Sequence, residues 1–383
     1  MSSKLAASIL AGVLFAGAPA LRAQDAALDA HSSIRVNLPP ESPVSLLSKS
    51  VEKDSQATPR GGAMVVDLHM ALSLRNSDSR NIRGITLLVT AQEFTPGGKE
   101  SVAVPSLNVA PGQTFPVRID LRLLRPLQTG GGPLVEVKLD GVLFEGYAFW
   151  GPDQLHSRRS MTVWEREAER DRNYFKSVLA QGGPERLRRE MVASLARQAE
   201  RPRIDVRVSR GRAVSSAATT ERVAHFAFLE MPDSPVEALD GVADIAGNEA
   251  RAPNIEIVNR SSKAVRYVEI GWIVKDRQGR EFQAGSVQAA GTDIKLLPGR
   301  SGRVEQDTTL RFLRNGEPVL ISSMTGFVSQ VEFADGAVWV PDYAALQSPK
   351  LLAVVAPSPE EQRLADLYRT KGLDALIEEL RKF

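Results

Sequence analysis

Short runs of alternating apolar and polar residues dominate two long stretches of the chain. In "FPVRIDLRLL" (residues 115–124), Val117, Ile119, Leu121 and Leu123 share one face. In "VRYVEIGWIV" (residues 265–274), Val265, Val268, Ile270 and Trp272 mostly alternate with Arg266, Glu269 and Gly271. A spacing of two is what a half-buried strand requires. The pattern changes between the two stretches. "MTVWEREAERDRNYFKSVLA" sets Val163, Trp164, Ala168, Phe175, Val178 and Leu179 among charges at helical spacing, and Leu187, Met191 and Leu195 recur every fourth position. Gly182-Gly183-Pro184 separates the two runs, so a helical hairpin is expected. "RIDVRVS" (residues 203–209) alternates again, and "SSAATT" (residues 215–220) reads as a flexible link.

A final helical pattern begins at Pro357. Ser358 offers an N-cap, Pro359 the first helical position and Glu361 the return partner of a capping box. Leu364, Leu367 and Tyr368 lie on one face, Gly372 interrupts, and Leu373, Leu376, Ile377 and Leu380 resume. This apolar stripe predicts packing on the second β-rich stretch. The alternative is a helix laid into the groove of a partner protein, with Leu364, Leu367, Tyr368, Leu376 and Leu380 as contacts.

The two β-rich stretches resemble each other. "NSDSRNIRGITL" (residues 76–87) and "NRSSKAVRYVEI" (residues 259–270) align without a gap and agree in kind at seven of twelve positions. "PESPVSLL" and "PDSPVEAL" precede them, and Pro111-Gly112 and Pro298-Gly299 follow. "VEVKLDG" then answers to "VEFADG", and each is followed by a W-x-P-D string that starts at Trp150 or Trp339. Four blocks in one order imply two copies of a domain, near residues 32–156 and 224–349, joined by a connector over 157–222 and followed by a tail over 357–383. About seven short strands per copy, punctuated by turn residues, predict a two-sheet antiparallel sandwich. The fold class expected is mainly β: two tandem immunoglobulin-like sandwiches, a helical connector and a C-terminal amphipathic helix.

"IVNRSSKAVRYVEIGWIVKDRQGREF" (residues 257–282) resembles the central strands of FxLYD-type and related immunoglobulin-like domains of bacterial exported proteins. The shared pattern is an Asn-containing turn, alternating Val and Ile, and an Asp-x-x-Gly turn; "WIVKD" stands where that family would place Leu-Tyr-Asp. The resemblance spans about 25 residues, implies the fold, and implies no catalytic residue.

Near the N-terminus, Lys4 precedes the apolar run "LAASILAGVLFAGAPA" (residues 5–20), with small residues before Gln24. That describes a secretory signal peptide over residues 1–23, with an N-terminal anchor as the alternative. The 383 residues contain no cysteine, which excludes disulfides, thiolate metal sites and a cysteine nucleophile. Together these features predict an exported, periplasmic or extracellular protein. The net charge of +2 points to no polyanionic partner. The connector is locally basic, with sixteen Arg/Lys against nine Asp/Glu, a net +7. Its charges interleave on helical patterns, as solvated ion-paired faces do, so nucleic acid is not expected as a partner.

Chemical motifs are scarce. His31, His69, His156 and His225 lie far apart and lack metal-ligand spacing. There is no G-x-S-x-G elbow and no glycine-rich phosphate loop. No catalytic residue, cofactor or metal is therefore expected. The leading expectation is a non-catalytic interaction or scaffold module with an envelope protein as partner. The alternative is binding of a glycan or anionic envelope polymer through Trp150 and Trp339, which occupy matching positions; each Trp could equally plug the end of its own core. An enzyme with an unrecognised site comes third.

Overall fold

The structure is a computed structural model. It describes residues 29–91, 99–126, 133–200, 203–211, 221–289, 292–305, 307–343, 352 and 357–383. The signal peptide of residues 1–23, the turn at Thr95–Gly98 and the link at Ser215–Thr220 lie outside the described residues.

The chain is mainly β, with its strands in several sheets. One turn of helix, α1 (Ala30–Ser33), leads into β1 (Ile34–Asn37), β2 (Val44–Val51), β3 (Gln56–Arg60), β4 (Ala63–Asn76), β5 (Ile82–Ala91), β6 (Lys99–Val104), β7 (Thr114–Pro126), β8 (Val135–Phe144) and β9 (Phe149–Trp150). The long helix α2 (Ser157–Glu200) follows. Then come β10 (Arg203–Arg210), β11 (Arg222–His225), β12 (Ala227–Leu229), β13 (Val236–Ala246), β14 (Glu249–Asn259), β15 (Val265–Asp276), β16 (Glu281–Gln288), β17 (Ser301–Glu305), β18 (Thr308–Arg314), β19 (Glu317–Pro318), β20 (Ile321–Phe333) and β21 (Val338–Trp339). Helix α3 (Pro359–Arg381) completes the described fold.

The first nine strands form two sheets, β1-β8-β5-β6 with β9 on β8, and β2-β4-β3 with β7 on β4. Their inner faces meet in one core. Val117, Ile119, Leu121 and Leu123 of β7 are buried, as their alternation requires, and pack with Leu68, Met70 and Leu72 of β4 and with Val135 and Val137 of β8. Each fully buried aliphatic side chain contributes about 1.5–3 kcal/mol. Strands β10–β21 enclose a second core around Trp272, Ile270, Phe312 and Val331. Their sheet path runs β11-β13-β14-β18-β10-β16-β15-β20-β12. β10 joins its two halves: Arg203 and Ile204 pair in parallel with β16, and Asp205 to Arg210 pair antiparallel with β18. Although β10 lies in the stretch read as connector, it is hydrogen-bonded into this second set of strands.

The repeated Asn turn has the same construction twice. Asn76 is fully buried, and its Nδ2 donates to the carbonyls of Arg80 and Val109, each at 2.9 Å, while its Oδ1 accepts from the Asp78 N–H at 3.0 Å. Asn259, equally buried, donates to the carbonyls of Lys263 (2.8 Å) and Leu296 (3.0 Å) and accepts from Ser261 N–H (2.9 Å). The backbone repeats too: Gly112 and Gly299, both at positive φ, donate to the Asn76 and Asn259 carbonyls at 2.9 Å. An amide side chain with two donors and an acceptor satisfies three backbone groups that the turn would otherwise bury unpaired.

Both helices break at a glycine. Gly183 (φ 68°, ψ −173°) divides α2, and Gly372 (φ 84°, ψ −177°) divides α3. Four helical arms result, and they pack together around Phe175, Val178, Leu187, Met191, Leu364, Leu376 and Leu380. The Ser358 N-cap is present, with its Oγ accepting from the Glu361 N–H at 3.1 Å, but the Glu361 carboxylate that a capping box would return to Ser358 is bonded by Ser194 instead. Packing of the tail stripe on the second β-rich stretch is not what the structure shows. Leu364, Leu376 and Leu380 are buried against α2, Tyr368 is half-buried beside them, and Leu367 is half-buried. The α2 arms carry their own apolar stripe, and the two stripes cover each other.

Candidate functional site

Helix α2 is anchored at its start by two aspartates. Asp140 accepts from the N–H groups of Gln154 (2.7 Å) and Leu155 (3.3 Å), and Asp153, at φ 53°, accepts from Arg158 N–H at 3.0 Å. Asp153 satisfies a donor that the helix N-terminus leaves open, while Asp140 holds the turn that leads into it. The first arm of α2 then lies against the same strand of both β regions. In the gapless alignment Gly84 of β5 corresponds to Tyr267 of β15, and Thr86 to Glu269. Thr86 Oγ1 donates to Met161 Sδ at 2.7 Å, and a Cβ on Gly84 would sit 2.9 Å from Met161 Cε. On the other side, the Arg159 guanidinium lies 3.8 Å from the Tyr267 ring centroid, pairs with Asp293 at 2.9 Å, and bonds Glu332. One β region thus receives α2 on a missing side chain and the other on an aromatic ring.

Buried ion pairs accompany the apolar cluster of this helical layer. Arg170 pairs with fully buried Asp171 at 2.7 Å, and Ser358 Oγ also bonds Asp171. Arg172 reaches Glu165 at 2.7 Å and Glu360 at 3.4 Å, and Arg363 holds Glu360 at 2.8 Å and Glu379 at 2.7 Å. Ser194 Oγ donates to Glu361 at 2.6 Å. Breaking such a buried pair costs several kcal/mol, about 3–5, because it strands the remaining charge. Burial, opposed by Arg172 and Arg83, pushes the Glu165 carboxyl up to about 7, and its Oε2 has no hydrogen-bond partner. Burial also pushes Glu167 up to about 7 against the pull of Arg170.

Beside this layer, α2 and the segment after β20 frame an open cleft of about 670 Å³. Tyr174 and Tyr343 stack with centroids 4.2 Å apart and planes 14° from parallel. Trp339, Asn173, Asp342 and Glu169 complete the polar-aromatic lining. Arg170 is fixed at the rim by a 3.1 Å bond to the Pro341 carbonyl, and Arg166 stacks over Tyr147 at 4.3 Å. Burial raises the Tyr343 and Tyr174 hydroxyls, the latter to about 12, so both are neutral donors at any ordinary pH. Ser177 also lines the cleft, and its hydroxyl donates to the Tyr174 carbonyl at 2.7 Å. The cleft offers stacking surfaces and fixed hydrogen-bonding groups, the equipment of a binding site.

The tryptophans sit at like ladder positions, Trp150 opposite Val142 and Trp339 opposite Val331, which sets Val331 against Val142 rather than against Val135 as the sequence blocks paired them, and their surroundings differ. Trp150 packs on the first core, whereas Trp339 packs on the second core and also lines the cleft. The two Asp residues of the W-x-P-D strings have diverged likewise: Asp153 caps α2, and Asp342 faces the cleft. Leu364, Leu376 and Leu380, expected as partner contacts, are covered from within the chain. His69 is bonded to Asp120 at 2.7 Å, which raises its pKa, and His225 lies 3.9 Å from Asp240. Among the described residues, no three His, Cys, Asp or Glu side chains converge as metal ligands would. Arg166, Arg170, Asn173, Tyr174 and Tyr343 were not singled out by sequence reasoning. One signal was available for the ionic layer: Arg172 occupies a stripe position between Ala168 and Phe175, where a charge demands a buried partner.

No family model matches the chain, and no curated protein matches it. Among solved structures, the Northeast Structural Genomics Consortium target SoR45 aligns at 15% identity over 35% of this chain and 78% of that one, with a TM-score of 0.18. A β-glucosidase from Kluyveromyces marxianus aligns at 8% identity over 70% of this chain and 45% of that one, with a TM-score of 0.15. Likenesses at this level carry no argument about fold or activity. Among the described residues, no helix is long and apolar enough to cross a membrane.

Proposed function

We propose that the protein is an exported, non-catalytic interaction scaffold: two copies of an immunoglobulin-like domain, of the FxLYD or a related type, held at fixed spacing by the helical connector. The observation that carries this reading is the double grip on α2 by equivalent strand positions, Gly84 and Thr86 of β5 against Met161 on one side and Tyr267 of β15 against Arg159 on the other. A connector that only linked two domains would need no buried contact to either. Duplication supports the shared domain type, since the buried Asn turns match bond for bond. Export rests on the apolar run after Lys4.

The test is photo-cross-linking of the full mature chain in its native envelope. A scaffold yields one defined partner at fixed stoichiometry. Turnover of ester, peptide or glycoside substrates with no such partner would sink the reading.

A second reading, glycan or polymer binding, is favoured by the setting of Trp339, which stands beside stacked tyrosines, Asn173 and Asp342. It predicts that Trp339→Ala lowers retention on cell-wall polysaccharide by roughly two- to tenfold, since stacking at an aromatic platform is worth about 0.5–1.5 kcal/mol. Trp150→Ala should leave retention unchanged. Equal losses in both variants would refute this assignment of the cleft.

A further inference from the structure

Strands β10 and β16 begin side by side and then part. Arg203 and Ile204 pair with Gln283 and Ala284, after which β10 leaves for β18 while β16 continues along β15. The parting opens a notch of about 680 Å³ between them. Beyond Ala284, no described strand pairs with the outer edge of β16.

The ladder determines what that edge presents. Ala289 N–H donates to the Val268 carbonyl at 2.8 Å, so the 289/268 pair is hydrogen-bonded. By antiparallel alternation the 288/269 pair is not, the 287/270 pair is, and the 286/271 pair is not. Ser286 and Gln288 therefore turn their N–H and C=O groups away from β15 and toward the notch. Gly285 is the extra residue of a bulge in the β15 ladder, and Ser286 to Gln288 beyond it offer roughly 10 Å of strand edge, at about 3.3 Å per residue. Val206, Val287 and the exposed Val208 supply apolar contact along the walls. Glu269 and Asp205 supply two negative charges against one positive charge from Arg210 at the far end of β10, and Tyr267 OH donates to Glu269 at 3.2 Å.

We propose that this notch binds an extended peptide segment of a partner protein by strand addition to β16, with apolar side chains on alternate residues and a Lys or Arg directed at Glu269. The proposal rests on the scaffold reading and names the partner's chemistry. A single extended chain fits between the parted strands, because β10 walls the other side. The carboxylates select a basic residue over an acidic one.

The probe is a displayed library of random decapeptides, selected on the full chain and counter-selected on Ser286→Pro. Proline at position 286 removes an outward N–H and leaves the β15 ladder bonds in place, as on an edge strand. Val208→Arg, at an exposed site, obstructs the notch independently; thermal melting checks that both variants fold. The expected result is a set of peptides with alternating apolar residues and one basic residue. Their affinity should fall at least about tenfold in Ser286→Pro, Val208→Arg and Glu269→Gln. N-methylation of one alternate set of peptide amides should abolish binding, and methylation of the other set should not. Peptides that bind all three variants as well as the wild type, or a selection with no such peptides, would overturn the proposal. So would self-association of the chain that Ser286→Pro abolishes, which would give the edge to a second copy. If a partner is still cross-linked by Ser286→Pro at unchanged yield, the notch fails while the scaffold reading stands. If peptides bind as described but the envelope yields no partner, the notch stands and the scaffold reading fails.

Discussion

Asn259 and Asn76 each hold a turn closed with a side-chain amide that no other residue type reproduces. Aspartate has the same shape but presents a second oxygen to the two backbone carbonyls that the amide nitrogen now serves. Asn259→Asp and Asn76→Asp should each destabilise by roughly 2–4 kcal/mol in urea unfolding at pH 7, through two lost bonds and stranded acceptors. Similar costs at both positions would follow from their matching bonds; a cost below about 1 kcal/mol at either would mean that turn is held by its backbone instead. The buried carboxyls give a pH dependence of opposite sense to ordinary acid denaturation. Glu167, raised from 4.5 to about 7, faces Arg170, Asp171 and Glu269. A carboxyl whose folded pKa lies above its unfolded value supports folding fully below the unfolded value and loses that contribution as pH rises through about 7. Glu167→Gln keeps the group neutral. It should be more stable than wild type at pH 8, by on the order of 2 kcal/mol, and close to wild type at pH 4. Denaturant curves at the two pH values check this, and an equal effect at both would show that the carboxyl ionises freely in the fold.

Gly183 and Gly372 set the course of the helical elements. Both lie at positive φ with ψ near 180°, a region essentially closed to residues with a side chain. A Cβ at either position would meet nothing within 4 Å, so substitution there probes backbone strain alone. Gly183→Ala and Gly372→Ala should each cost roughly 1–3 kcal/mol, read as a lower midpoint in chemical unfolding at unchanged slope; no loss would mean the arms can join into continuous helices. Both breaks were legible in the sequence, as were the Ser358 cap, the alternating faces of β7 and β15, and the repeated Asn turn, because each depends on local chemistry. What was not legible depends on distant pairing. The tail stripe was expected on the second β-rich stretch or in a partner's groove, and only tertiary packing gave it to α2. The alternation of "RIDVRVS" marks a strand but not its neighbours, so the bridging role of β10 and the notch beside it had no local signal. The cleft was half visible: Trp339 stood out by its repeat position, while Tyr174, Asn173 and Arg170 looked like ordinary residues of a charged helix.

At the scale of the whole chain, the question is whether α2 is a strut or a passenger. A passenger would tolerate loss of either flank with no change in how the β regions unfold. A strut couples them, because its first arm is part of the packing of both. Two substitutions separate the flanks. Met161→Ala removes a buried side chain against β5, at a cost of about 2–5 kcal/mol. Arg159→Ala removes the pairs to Asp293 and Glu332 and the stack on Tyr267, while Glu332 keeps Arg266 at 2.6 Å and is not left unpaired. Its cost should be smaller, roughly 1–3 kcal/mol. The expected calorimetric result is one cooperative transition for the wild type and two resolved transitions for either variant, with little further separation in the double variant because the coupling is already broken. Small-angle scattering should then show a larger radius of gyration in the variants. Three single transitions at shifted midpoints would mean that the β regions touch through surfaces other than α2. Two transitions already present in the wild type would mean that the regions unfold independently and the double grip carries no coupling. Only the first pattern is compatible with a scaffold whose spacing is built into a single helix, since spacing is maintained only as far as the helix and both strands melt together.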